Sequence, residues 1–136
     1  MKNITEIIVH CTATPGGRNV TVSDIDRWHR ERGFRCIGYH YLVKLDGGVS
    51  AGRSENESGA HCLGHNTCSI GVVYAGGIGA DGNPADTRTD AQKRSLRQLL
   101  VTLKARYPAA RIYGHCDFAA KACPCFDAKR VFHNDC

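Results

Sequence analysis

The sequence has no long hydrophobic run, which excludes one class of protein. No window of the 136 residues approaches the roughly 18 apolar residues that a membrane-spanning helix needs, so we predict no membrane insertion. Residues 1–6 also contain no apolar stretch and no small-residue cleavage site. We therefore expect no signal peptide, and we expect synthesis in the cytoplasm.

Several motifs of familiar enzymes are also missing. The chain has no Gly-x-Ser-x-Gly elbow of a serine hydrolase, no Walker loop for nucleoside phosphates and no His-Glu-x-x-His zinc helix. Its 18 basic residues outnumber 13 acidic ones, for a formal charge of +5, but they form no basic block with interleaved aromatic residues. We therefore predict no nucleic-acid partner, and we expect the positive excess to favour another polyanion.

Cysteine and histidine are abundant instead. The chain has eight cysteines and seven histidines. In a secreted chain of this length, so many cysteines would indicate a disulfide framework. Because we expect no signal peptide, we predict reduced thiols that are either buried or bound to a metal. Zinc is the metal that a soluble chain rich in cysteine and histidine favours.

The pattern of apolar residues predicts alternating strands and helices. Thr21 and Thr89 each begin a capping pattern that marks the start of a helix. Residues 46–48 form a turn between two strands of a hairpin. Strands are predicted at residues 4–10, 39–45, from 49 onward, at 69–75 and at 111–114, and a last helix at 126–132. This order predicts a single α/β domain over residues 1–136, with a central mixed β-sheet flanked by helices.

Three residues are candidates for a catalytic metal site. His10 lies at the end of a predicted buried strand, where a side chain reaches the rim of a sheet. His115 and Cys123 are eight positions apart, a spacing that suits a loop returning to one ion. Two histidines and one cysteine leave one zinc position open for water, which is the catalytic arrangement. The spacing by itself fits a polar loop with buried thiols equally well.

A second cluster offers an alternative metal site. Cys62, His65 and Cys68 follow one another at intervals of three residues, as in a compact zinc knuckle, and His61 lies beside them. A zinc ion bound there would be structural, although the ligand set is incomplete. The spacing leaves this alternative open.

The order of several short motifs makes the chain similar to a known family. The motifs include Val9-His10-Cys11-Thr12, Gly38-Tyr39-His40-Tyr41, Gly59-Ala60-His61, Ser69-Ile70-Gly71-Val72 and Lys121-Ala122-Cys123-Pro124. Together they resemble the type 2 N-acetylmuramoyl-L-alanine amidases, the family that includes short phage enzymes and the peptidoglycan recognition proteins. The resemblance covers about residues 7–129 and implies the fold of that family.

The resemblance also implies roles for individual residues. It places zinc (Zn²⁺) on His10, His115 and Cys123, catalytic assistance on Tyr39 and Lys121, and a substrate contact on His61. Recognition proteins that bind the cell wall without cutting it commonly lack the ligand at the position of Cys123. Its presence here favours an active enzyme.

The implied function is zinc-dependent hydrolysis of the amide bond between N-acetylmuramic acid and L-alanine in bacterial peptidoglycan. The alternative is a non-catalytic peptidoglycan-binding module on the same fold. Because we expect no signal peptide, we predict a phage or prophage endolysin that acts on the cell wall after release or export. We expect a monomer whose partner is peptidoglycan, with the positive charge adding to wall affinity.

Overall fold

A computed structural model of the chain describes residues 3–132. Within that range the strands are β1 (Glu6–Cys11), β2 (Thr14–Pro15), β3 (Tyr41–Val43), β4 (Val49–Ala51), β5 (Ser69–Tyr74), β6 (Gly77–Ile78) and β7 (Arg111–Gly114). The helices are α1 (Val22–Glu31), α2 (Asp90–Arg106) and α3 (Ala128–Phe132), and a 3₁₀ turn covers His115–Asp117. The predicted domain of residues 1–136 reaches past the described range at both ends and stays a prediction.

Five of these strands form one mixed sheet, in the order β4-β3-β5-β1-β7. The hairpin strands β3 and β4 run antiparallel, whereas β3, β5, β1 and β7 run parallel to one another. The short strands β2 and β6 pair separately. The predicted mixed sheet is therefore confirmed, and its parallel strands end at one common edge.

Each face of the sheet carries an apolar core, because successive strand residues point to opposite faces. On one face, α2 and α3 pack through buried side chains that include Ile7, Val9, Ile70, Val72, Tyr74, Leu96, Leu100, Leu103, Ile112 and Phe132. On the other face, the α1 side, the buried residues are Val20, Ile25, Ile37, Leu42, Val73 and Ala75. The alternation along β1 turns His10 away from the larger core and toward the α1 side.

Both predicted capping patterns are present. The Thr21 side chain accepts a hydrogen bond from the Asp24 backbone N–H, and the Asp24 carboxylate accepts one from the Thr21 backbone. Thr89 and Gln92 make the same reciprocal pair at the start of α2. Each pair satisfies two backbone donors that a helix start leaves without a partner, which stabilises the start by about 1 kcal/mol.

Four predicted elements differ from the structure in their boundaries, and two of them, at 4–10 and 69–75, differ by only one or two residues. The strand predicted at 39–45 is shorter at both ends and covers only Tyr41–Val43, the residues that pair with β5. Tyr39 and His40 therefore lie in the segment that leads into the strand. The helix predicted at 126–132 begins at Ala128.

None of the α-helices within residues 3–132 combines the length and the apolar character required to cross a bilayer.

Candidate active site

The candidate site lies at the edge of the sheet where the parallel strands β1 and β7 end. His10 is the second-last residue of β1, and His115 follows the last residue of β7 directly. Val9 is paired with Gly114 in this ladder, so the two histidines leave neighbouring strands side by side. Their ring centroids are 4.5 Å apart.

Cys123 reaches the two histidines through the loop that follows the 3₁₀ turn. Its carbonyl oxygen accepts a hydrogen bond of 2.8 Å from the backbone N–H of Cys116, which closes the loop. Its Sγ lies 3.1 Å from the backbone N of Cys11 and 3.9 Å from Nδ1 of His10. One ligand atom from each of His10, His115 and Cys123 lies within 4.8 Å of the other two.

The donor set and its spacing fit a zinc ion. Tetrahedral zinc with ordinary bond lengths holds a sulfur and a nitrogen ligand roughly 3.6 Å apart. The separation of 3.9 Å between Cys123 Sγ and His10 Nδ1 is close to that value. Two imidazoles and one thiol are also the donor types that zinc prefers, and they leave a fourth position for water or substrate.

The surroundings of the three residues favour the protonation states that bind a metal. Burial lowers the pKa of His10 well below its usual value, and the nearby His61, His115 and Lys121 lower it further. Burial, followed by the Lys121 charge, also lowers the pKa of His115. Hydrogen bonds from Cys11 lower the pKa of the Cys123 thiol, against the opposing effect of its burial. Neutral imidazoles and a thiolate are the forms that a metal needs.

A cleft of about 610 Å³ opens beside the triad. Its lining includes His115, Tyr39 and Lys121, and thus brings both predicted catalytic residues together with a predicted metal ligand. The Tyr39 ring packs 5.0 Å from the His10 ring, centroid to centroid. Burial raises the pKa of the Tyr39 hydroxyl, and the nearby Cys123 and Cys11 thiols raise it further, so this group remains a proton donor at neutral pH.

His61 lines the same cleft, but its ring is largely buried, with 9% of the residue exposed. Its Nδ1 lies 2.8 Å from Nε2 of His10, and its Nε2 lies 3.1 Å from Oγ of Ser69. The predicted substrate contact stays a prediction. The contact with His10 is an addition that the sequence did not suggest.

The alternative cluster does not converge in the same way. Within residues 3–132, the group of ligand atoms close enough to share an ion consists of His10, His115 and Cys123. His65 instead forms a hydrogen bond of 2.8 Å with Glu6. The seven cysteines in this range form no disulfide with one another, but Cys116 is exposed, so the prediction that each thiol is buried or bound to a metal does not hold for it; Cys136 lies outside the described residues.

Two contributors to the site were missed in the sequence. Ser69 is the first residue of the strand predicted at 69–75, and its hydroxyl contacts His61. Phe118 lines the cleft and stacks on His65 at 3.9 Å between ring centroids. Ser69 stands in one of the family motifs, which was the available signal, whereas no pattern around Phe118 marked it.

The fold and this site define a class of protein: an α/β domain in which two strand ends and one loop bring together three residues that could hold a metal ion, beside an open cleft. The family model described as N-acetylmuramoyl-L-alanine amidase matches residues 1–126. The chain therefore belongs to the N-acetylmuramoyl-L-alanine amidase family, and the predicted enzyme class is confirmed.

Sequence and structural similarity to individual proteins supports this family. The endolysin of Escherichia phage T7 is 49% identical over 124 residues, which cover 91% of this chain and 82% of that protein. The structure of the N-acetylmuramoyl-L-alanine amidase LysC from Clostridium intestinale aligns with a TM-score of 0.82 at 28% identity, over 97% of this chain and 87% of that chain. Bumblebee PGRP-SA aligns with a TM-score of 0.79 at 25% identity, over 99% and 86% of the two chains. The predicted amidase and recognition-protein fold is confirmed.

Proposed function

We propose that this protein is a phage or prophage endolysin that uses zinc to hydrolyse the amide bond between N-acetylmuramic acid and L-alanine in peptidoglycan. The observation that carries the proposal is the convergence of His10, His115 and Cys123 at the edge of a cleft. Family membership and the similarity to an endolysin support the same reaction.

The three residues of the triad would hold the zinc ion. When bound, zinc polarises the scissile carbonyl and lowers the pKa of water, so that hydrolysis can proceed near neutral pH. The chain contributes by keeping both imidazoles neutral and by favouring the thiolate of Cys123. It also places His115 on the wall of the cleft, where the amide can approach.

Lys121 has the position and charge to stabilise the reaction. Attack of water on the amide carbon places negative charge on the carbonyl oxygen. An ammonium group at the cleft wall can donate a hydrogen bond to that oxygen as the charge develops. Lys121 lines the cleft together with His115, within two residues of Cys123, which suits this role.

Tyr39 is proposed to orient the attacking water and to help move its proton. Its ring is held between the rings of His10 and His29, at 5.0 and 5.3 Å between centroids. This packing restricts the ring of a residue that lines the cleft. The raised pKa keeps its proton in place, so Tyr39 acts as a hydrogen-bond donor rather than as the main base.

Peptidoglycan is the proposed partner, and the site of action is the cell wall after release or export of the enzyme. The family and the similarity to an endolysin support both statements. A monomeric state remains part of the proposal, and sedimentation of the purified protein would test it. The formal charge of +5 is proposed to add to wall affinity.

The test is digestion of purified peptidoglycan with bound zinc measured in the same samples. Wild type, Cys123→Ala and the control Cys68→Ala would be compared, because the Cys68 thiol contacts Glu6 at the start of β1, whereas His10 lies near its end. We expect wild type and Cys68→Ala to release stem peptides that begin with L-alanine. Cys123→Ala should lose both zinc and product.

Two results would contradict the proposal. Zinc-loaded wild type that binds the wall tightly without releasing peptides would favour the non-catalytic binding module. Full hydrolysis by zinc-free Cys123→Ala would remove the metal from the mechanism.

A further inference from the structure

We propose that His61 and Ser69 position the metal ligand His10, by fixing which of its ring nitrogens carries the proton. This inference rests on the zinc site proposed above. It assigns His61 a positioning role in addition to its place on the cleft wall. The proposed arrangement leaves Nδ1 of His10 for the metal and keeps the proton on Nε2.

The argument begins at Ser69, whose hydroxyl lies 2.7 Å from the carbonyl oxygen of His65. A carbonyl oxygen only accepts, so the Ser69 hydroxyl donates its single proton there. The lone pairs of the same hydroxyl then face Nε2 of His61 at 3.1 Å, and this contact requires an N–H on Nε2.

The direction of the next hydrogen bond follows. A neutral imidazole carries one N–H, so His61 with its proton on Nε2 presents a lone pair at Nδ1. Nε2 of His10 lies 2.8 Å from that atom and must therefore donate. The proton of His10 is held on Nε2, and its lone pair is on Nδ1.

The orientation of His10 agrees with this result. Its Nδ1 faces Cys123 Sγ at 3.9 Å, whereas its Nε2 faces His61. The nitrogen that carries the lone pair is thus the nitrogen that faces the other ligand. A metal-ligating histidine generally donates its second N–H to a fixed acceptor, and removal of that acceptor weakens metal binding about 10- to 100-fold.

Two glycines leave the space that the His61 ring occupies. A Cβ atom built on Gly59 would lie 2.4 Å from Cδ2 of His61, and one built on Gly71 would lie 2.7 Å from the same atom. The Asn66 side chain accepts hydrogen bonds of 2.8 and 2.9 Å from the backbone N–H groups of His61 and Cys62. The two glycines therefore leave room for the ring beside His10, and the hydrogen bonds to Asn66 fix the backbone that carries the ring.

Zinc affinity of three variants at His61 would test the proposal, measured by competition with a chromogenic chelator. In His61→Asn, the side-chain oxygen occupies the position of Nδ1 of His61 and can accept the hydrogen bond from His10. In Gln, the amide lies one bond further out, near the position of Nε2. We expect His61→Asn to bind zinc within a few-fold of wild type. His61→Gln and His61→Leu should bind it about 10- to 100-fold more weakly.

Nitrogen NMR of the zinc-loaded wild type provides a second readout that needs no variant. Long-range proton–nitrogen correlations distinguish the metal-bound nitrogen of His10 from the protonated one. We expect zinc on Nδ1 and the proton on Nε2. Circular dichroism of each variant would check that the fold is retained.

The outcomes separate this proposal from the proposed function. Zinc bound to His10 through Nε2, or equal zinc affinity in wild type, His61→Gln and His61→Leu, would overturn the positioning role and leave the zinc enzyme intact. Failure of wild type to bind zinc would overturn both.

Discussion

The chain has two groups of cysteine and histidine residues that were candidates for a metal site, and they differ in whether their ligand atoms meet. His10, His115 and Cys123 come from two strand ends and one loop, and their ligand atoms meet within 4.8 Å. Cys62, His65 and Cys68 lie within one short loop before β5, yet they do not form such a group, and His65 and Cys68 both contact Glu6 instead. Closeness along the chain therefore did not produce a ligand cluster, whereas the pairing of distant strands did.

The contacts of the loop residues explain the difference. Nδ1 of His65 donates to the Glu6 carboxylate at 2.8 Å, and the His65 ring stacks on Phe118. The Cys68 thiol lies 3.5 Å from the same Glu6 oxygen, and Cys62 is buried with 3% of its surface exposed. These contacts attach the loop to β1. Contacts of this kind indicate that the loop supports the structure beside the cleft.

The largest expected effect comes from breaking the triad. His115→Ala should abolish stoichiometric zinc binding and reduce peptidoglycan hydrolysis to background, because two ligands cannot hold the ion in place. His65→Ala is the matched control and should keep one zinc per chain and its activity. Metal analysis and a peptide-release assay would measure both. Loss of zinc in His65→Ala but not in His115→Ala would reverse the comparison.

The next effect separates chemistry from metal binding. Lys121→Ala should lower kcat about 10²- to 10³-fold, because the developing oxyanion loses a charged donor. Zinc content should not change, since Lys121 is not a ligand. Lys129→Ala, which removes an exposed lysine over the Tyr113 ring, is the control and should leave kcat unchanged. A Lys121→Ala variant as fast as wild type would remove Lys121 from the mechanism.

A smaller effect is expected at Gly71, which contacts the site through His61. An added Cβ would lie 2.7 Å from the His61 ring and would displace it from His10. Gly71→Ala should weaken zinc binding by up to about tenfold and lower the free energy of unfolding by about 1–3 kcal/mol. Gly79→Ala serves as the control in a loop away from the triad. Unchanged zinc affinity in Gly71→Ala would mean that the ring can move without consequence.

The smallest effect is expected in the loop cluster itself. Cys62→Ala should lower the free energy of unfolding by about 1 kcal/mol, because it removes a buried sulfur. Zinc content and hydrolysis should remain at wild-type levels. Denaturant titration and metal analysis would measure the two quantities. If Cys62→Ala released zinc while Cys123→Ala retained it, the loop would be the metal site.

Local signals in the sequence predicted the helices and most strands well. The capping boxes at Thr21 and Thr89 depend on residues three positions apart, so they are readable without the fold. The β-branched strand at Ser69–Tyr74 was predicted within one residue of its end. The two-residue strands β2 and β6 were missed, because each is too short to show a periodic pattern.

Local signals in the sequence predicted only part of the candidate site. The spacing of His115 and Cys123 did not distinguish a metal loop from a polar loop, and the ordered family motifs made the difference. The contact between His61 and His10 had no signal in the sequence. It joins residues 51 positions apart, and it depends on the register between β1 and β5 and on the glycines that leave room for the ring.

The sequence by itself thus determined most elements of this protein and the kinds of side chain available for its chemistry, because capping, turns and strand patterns act over a few residues. Only the tertiary structure decided which imidazoles and thiols meet. His10 and Cys123 are separated by 113 positions, and parallel pairing of β1 with β7 followed by a returning loop brings them together. The parallel pairing of β1 with β5 places Glu6 beside Ser69 and so brings it to His65, which leaves the loop cluster in a supporting role.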